Sequence, residues 1–154
     1  TNIINLWRVK VLKVISKFAL LILVGAILYL LFSGNLLSLS PFVILGQLSA
    51  IALSAWTRRS FQHGQFSIHA EPKDGPLLLT GPFKFIRHPM YASALLLVWS
   101  GILGHLSPGS VLIGLIVTSF IAIRIITEDQ YLRMQFPEYL EYSHKTKRII
   151  PFVI

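Results

Sequence analysis

Apolar runs separated by short polar intervals set the outline of this chain. Phe18 to Phe32 carries no charge, and with the approach from Val11 it is long enough to cross a hydrocarbon core at about 1.5 Å per residue. Leu36 to Trp56 is again uncharged and ends at Trp56 and the Arg58-Arg59 pair, an interfacial anchor. Pro89 to Leu106 and Ser110 to Ile126 follow, both near the short limit for a span. The pattern predicts an all-α polytopic membrane helical bundle of about four transmembrane helices, with spans at about 11–32, 36–56, 89–106 and 110–126. A connector at 58–88, mostly loop, and a C-terminal helical segment at 127–154 complete one membrane domain. Ser33-Gly34-Asn35 is the whole connector between the first two runs, which are therefore expected to form a tight antiparallel hairpin. Ser107-Pro108-Gly109 turns the last two in the same way.

Composition agrees: 54% apolar and 13% charged residues in 154 fit a soluble globule poorly. The charge distribution adds orientation. All fourteen Lys and Arg fall within 8–17, 58–87 and 124–148, so both ends of the chain are expected on the cytosolic side. The six acidic residues lie on that side too. A formal charge of +8 arranged in this way suits anionic lipid rather than nucleic acid. Cysteine is absent, which removes disulfides, thiolate metal sites and a cysteine nucleophile. A basic start before an apolar run also resembles a secretory signal, but with three more apolar runs downstream it reads as a retained first helix.

Candidate chemistry gathers at Gly81 to Tyr91. Pro89 can occupy the first turn of a helix, which puts His88 at the helix mouth, where unpaired backbone N–H groups suit a carboxylate or a ribose oxygen. The same residues are open to a plainer account as an interfacial anchor. In the fourth run Arg124 and Glu128 stand four apart on one helix face, and Arg124 either snorkels to the interface or faces a polar cavity. Helix is expected to continue past Glu128 through Phe136, and a further short helix to start with Pro137 in its first turn. Lys145 to Arg148 form a basic patch before an apolar end, Ile149 to Ile154, which either rests in the interface or folds back as a lid. His63 and His69 are six apart with no third ligand nearby, so no metal is expected, and His105 reads as a solvated turn residue. No glycine-rich phosphate loop or GxGxxG occurs.

Two separated motifs, Gly81-Pro82-Phe83 with Arg87-His88-Pro89-Met90-Tyr91, and Glu128-Asp129 followed by Phe136, Glu138-Tyr139, Glu141-Tyr142 and Pro151, carry a resemblance. In order and spacing, residues 65 to 154 resemble the isoprenylcysteine carboxyl methyltransferase family of integral membrane enzymes. The resemblance implies S-adenosyl-L-methionine as cofactor, held on the cytosolic side by Phe83, His88, Pro89, Met90, Tyr91 and Glu128, with Gly75, Pro76, Leu77 and Leu78 lining the same pocket. It implies Arg124 at the substrate, Arg124 and Glu128 as the catalytic pair, and a lipid or prenylated-cysteine-like carboxylate that enters from the bilayer. The chain departs from the family's pattern at Phe83, at Asp129-Gln130 and at Pro137, and lacks a histidine common in the 75–78 stretch. Other expectations remain open: a phospholipid or small-thiol acceptor, an NADPH-dependent reductase resembling the sterol reductases, and a non-catalytic membrane protein.

Overall fold

The computed structural model describes residues 2–61 and 76–150, with side chains at residue 14 and from residue 17 onward. Among these residues lie five α-helices and no strand: α1 (Asn2–Phe32), α2 (Pro41–Ser60), α3 (Pro89–Gly104), α4 (Pro108–Gln135) and α5 (Tyr139–Lys145). A short 3-10 turn, Gly81–Lys84, precedes α3. Proline opens α2, α3 and α4, where its fixed φ and missing N–H cost nothing. Ser107 and Ser110 close a reciprocal cap on α4, each backbone N–H donating to the other's hydroxyl at 3.1 Å. The link between α3 and α4 is thus His105 to Ser107, since Pro108 is already helical. Pro137 lies outside α5, whose N-cap position is Glu138, so the expected proline in its first turn is corrected.

The expected start of the second helix at residue 36 is also corrected. Gly34 takes φ +73°, and the N–H groups of Asn35 and Leu36 bond to the Leu30 carbonyl at 2.8 and 2.9 Å. Such a left-handed glycine stop ends α1, and helix resumes only at Pro41. The intervening loop is packed rather than loose. Leu36 is 6% exposed, its carbonyl accepts from Gln47 Nε2 at 2.6 Å, and His105 Nε2 donates to the Leu37 carbonyl at 2.8 Å. His105, at the solvent-facing turn, therefore also anchors a loop.

The first two helices do not form the expected hairpin. α1 packs along α4 and α2 along α3, while α1 and α2 scarcely touch. The reason lies in which faces match. Ala26 of α1 sits in one apolar cluster with Val117, Ile121 and Ile125 of α4, and Leu30 joins Leu36, Val98 and Ile102 in a second. Small residues bring α2 against α3: a Cβ on Gly46 would lie 2.8 Å from Ser100 Cβ, and one on Gly104 would lie 2.6 Å from Val43 Cγ2. Residues 33–40 give the chain enough reach to leave α1 and begin its second helix beside α3.

By length and composition, α4 is the one helix among the described residues long and apolar enough to cross a membrane; Lys17–Phe32 and Pro89–Gly104 are apolar but shorter. Large apolar side chains such as Leu21, Phe42, Leu45 and Leu115 point outward, as in a protein whose solvent is lipid.

Candidate functional site

The separation of α1 from α2 leaves a cavity of about 600 Å³ between them, backed by α3 and α4. Its long walls are apolar: Ala19, Leu23 and Ile27 from α1, Ala50 and Ile51 from α2, Ala94 and Leu97 from α3. Its polar end lies where α3 begins and α4 finishes, with Arg87, His88, Tyr91, Arg124 and Glu128 at the surface of the cavity and Tyr139 and Tyr142 reaching in from α5.

The ten described residues expected to hold cofactor or substrate border this one cavity: Pro76, Leu77, Leu78, Phe83, His88, Pro89, Met90, Tyr91, Arg124 and Glu128. Gly75, His63 and His69 lie outside the described residues. His88 is the N-cap of α3 with no side-chain cap bond, so the first amides of that helix keep their donors uncapped by side chains. The rings of His88 and Tyr91 stack with centroids 5.7 Å apart and planes 29° off parallel. On α4, Arg124 Nε donates to the Tyr91 hydroxyl at 2.7 Å, and that hydroxyl donates to Glu128 Oε2 at 2.6 Å. The phenol thus stands between the cation and the anion. Arg124 is 6% exposed and faces the cavity, the second of the two placements open to it in the sequence.

No role was expected for Asp129, yet its carboxylate joins four segments. Oδ1 accepts from His88 Nε2 at 2.7 Å and from the Tyr139 hydroxyl, Oδ2 accepts from Arg148 Nε at 3.1 Å, and Arg87 Nε stands 4.0 Å from Oδ1. Asp129 lies beyond the apolar stretch that ends at Ile126. Burial by itself would raise its pKa, but the hydrogen bond and charge of His88 and the bonds from Tyr139 and Arg148 outweigh burial and hold it well below the usual carboxylate range. Burial and the Asp129 contact push the Tyr139 phenol far up, and burial takes Tyr142 up to about 12. No local pattern announces this centre, because its partners are 41, 10 and 19 residues away. The nearest hint is its place beside Glu128 in the second motif.

The C-terminal segment closes the polar end. Residues Ile86 and Lys147 form a parallel bridge, with Arg87 N donating to Lys147 O at 2.7 Å and His88 N to Arg148 O at 2.9 Å. Arg87 Nη1 donates to the Ser143 carbonyl at 2.6 Å and to that of Thr146, and the Tyr142 hydroxyl donates to the Phe83 carbonyl at 2.7 Å. Residues 147–148 thus fold back against 86–88, and residues 151–154, most of the apolar end for which two placements were expected, lie outside the described set. No group of three or more His, Asp or Glu side chains able to hold a metal ion occurs among the described residues.

A helical chain with an apolar cavity that ends in a compact set of charged and aromatic groups is suited to an amphipathic ligand. Residues 21–139 match the profile of the phospholipid methyltransferase family, and the chain belongs to that family, which includes the isoprenylcysteine methyltransferases. The chain is also similar to the cobalt-zinc-cadmium resistance protein CzcN of Cupriavidus metallidurans, 36% identical over 87 residues. That match covers 51% of this chain and 37% of the relative's length. No solved structure matches the chain.

Proposed function

We propose that this chain is an S-adenosylmethionine-dependent methyltransferase with four membrane-spanning helices and a cytosolic site, acting on a lipid or lipidated carboxylate of the prenylated-cysteine kind. The observation that carries this reading is the meeting of His88, Tyr91, Arg124 and Glu128 at the polar end of an otherwise apolar cavity. The residues present fit the cofactor: an anion at Glu128, amides without side-chain caps at the mouth of α3, and aromatic walls at Phe83 and Tyr91. When bound, S-adenosylmethionine supplies a methyl group on a sulfonium cation.

The chain's own part is then to bind, orient and exclude water. The Glu128 carboxylate attracts the cationic part of the cofactor, and the mouth of α3 favours its polar groups. Arg124, held by Tyr91, offers its fork to an incoming carboxylate. A carboxylate is already ionised at neutral pH, so this acceptor requires no general base. Alignment is the main contribution, and holding two reactants in line supplies about 7–11 kcal/mol. The apolar cleft between α1 and α2 suits a hydrocarbon chain arriving from the bilayer. The family's description favours a phospholipid acceptor as the second reading.

S-Adenosylhomocysteine tests the cofactor. Purified protein in detergent is expected to melt at higher temperature in its presence, since a ligand at about 100 times its Kd stabilises the native form by about 2.7 kcal/mol. Glu128→Ala removes the shift, whereas Arg124→Ala keeps it and loses turnover. No shift in the unaltered protein at saturating ligand overturns the reading. Transfer of labelled methyl to a lipid extract, with identification of the product, decides between carboxylate and phospholipid.

A further inference from the structure

We propose that Asp129 is a positioning residue: one carboxylate fixes the His88 ring with Nε2 as donor and pins the C-terminal segment through Tyr139 and Arg148, so that His88 orientation and closure of the polar end are coupled. The proposal rests on the methyltransferase reading for its effect on turnover, while its structural half is independent of it.

An ionised carboxylate only accepts hydrogen bonds, so the 2.7 Å contact puts the proton on His88 Nε2. Nδ1 is then the ring nitrogen left for a ligand, while the backbone amides of α3 serve anionic groups. Both Asp129 oxygens are engaged at once, Oδ1 by His88 and Tyr139 and Oδ2 by Arg148. The carboxylate therefore cannot turn to serve one partner without releasing another. Tyr139 is fully buried and borders the cavity, and Arg148 belongs to the segment paired with residues 86–88. Loss of the carboxylate is thus expected to free the ring and the tail together.

Asp129→Asn tests this with little change in volume, because its amide group cannot accept from all three partners. In imidazole ¹⁵N spectra of the full chain in detergent, His88 of the unaltered protein is expected with Nε2 protonated, and Asp129→Asn with that proton partly lost to Nδ1. An unprotonated Nε2 in the unaltered protein overturns the proposal. The chain has no cysteine, so Thr146→Cys, at a site 5% exposed, gives a single maleimide target on the tail. Adding Asp129→Asn is expected to speed labelling at least tenfold, and an unchanged rate overturns the proposal. Arg148→Gln leaves Asp129 and His88 in place; it is expected to speed labelling without altering the His88 tautomer, and it carries the test if Asp129→Asn does not fold. In that case unchanged labelling in Arg148→Gln overturns the coupling. Asp129→Asn is also expected to lower the rate of methyl transfer tenfold or more, with Asp129→Glu restoring part of it. A missing thermal shift with S-adenosylhomocysteine would sink the methyltransferase reading and leave the tautomer and labelling results standing.

Discussion

At the end where α1 gives way to α2 and α3 to α4, closure is made by small residues and backbone: Gly101 lies against Leu36, Gly104 against Val43 and Ser38, and the turn is capped by serine hydroxyls. At the opposite end it is made by Arg87, His88, Asp129, Tyr139 and Arg148 around a buried carboxylate. The first arrangement depends on shape, with His105 holding the Leu37 carbonyl. The second depends on ionisation, and its parts come from distant segments. The proposed chemistry falls at the second because groups that hold charge in a shielded place can also act on a charged ligand.

Asp129→Ala should break this contrast most severely. Removing one member of a buried ionic cluster costs about 3–5 kcal/mol, read as a large fall in melting temperature in detergent. Next comes Gly101→Ala, at the opposite end. Its added Cβ would stand 2.8 Å from the Leu36 carbonyl oxygen, and overpacking of this kind costs about 1–3 kcal/mol. That variant is expected to keep the full thermal shift with S-adenosylhomocysteine, because the polar end is untouched.

Acid and alkali sharpen the comparison further. Asp129 has a folded pKa below its unfolded value of about 3.9, so its stabilisation is present above about pH 4 and is lost as pH falls through the folded value. Tyr142 is raised to about 12, so its stabilisation is intact below the unfolded value of about 10 and is lost as pH rises through about 12. Melting curves across pH should fall at both extremes, and Tyr142→Phe should shrink the alkaline fall. The smallest effect is expected from Glu141→Gln, which removes an ion pair whose two side chains are 71% and 74% exposed. No measurable change in melting temperature should follow.

Helix identity was legible in the sequence because apolar runs and opening prolines act locally. Helix pairing was not, since connector length suggested a hairpin while Ala26 and Leu30 found their matching surfaces on α4 and around Val98. The grouping of His88, Tyr91, Arg124 and Glu128 could be anticipated from two motifs, one at the start of α3 and one near the end of α4. Asp129 could not, as its value comes from Tyr139 and Arg148 folding back onto it. Arg124 was ambiguous for a related reason: four-residue spacing put it on a face with Glu128 but could not reveal the Tyr91 hydroxyl between them.

The pairing of Lys147 with Ile86 also bears on the order of events during synthesis. Residues 139–148 leave the ribosome after all four long helices, so the nascent protein has no finished polar end until nearly the whole of this stretch is made. A chain stalled after α4 would own a greasy cleft without its clasp, and ligand capture should begin only when the final segment docks.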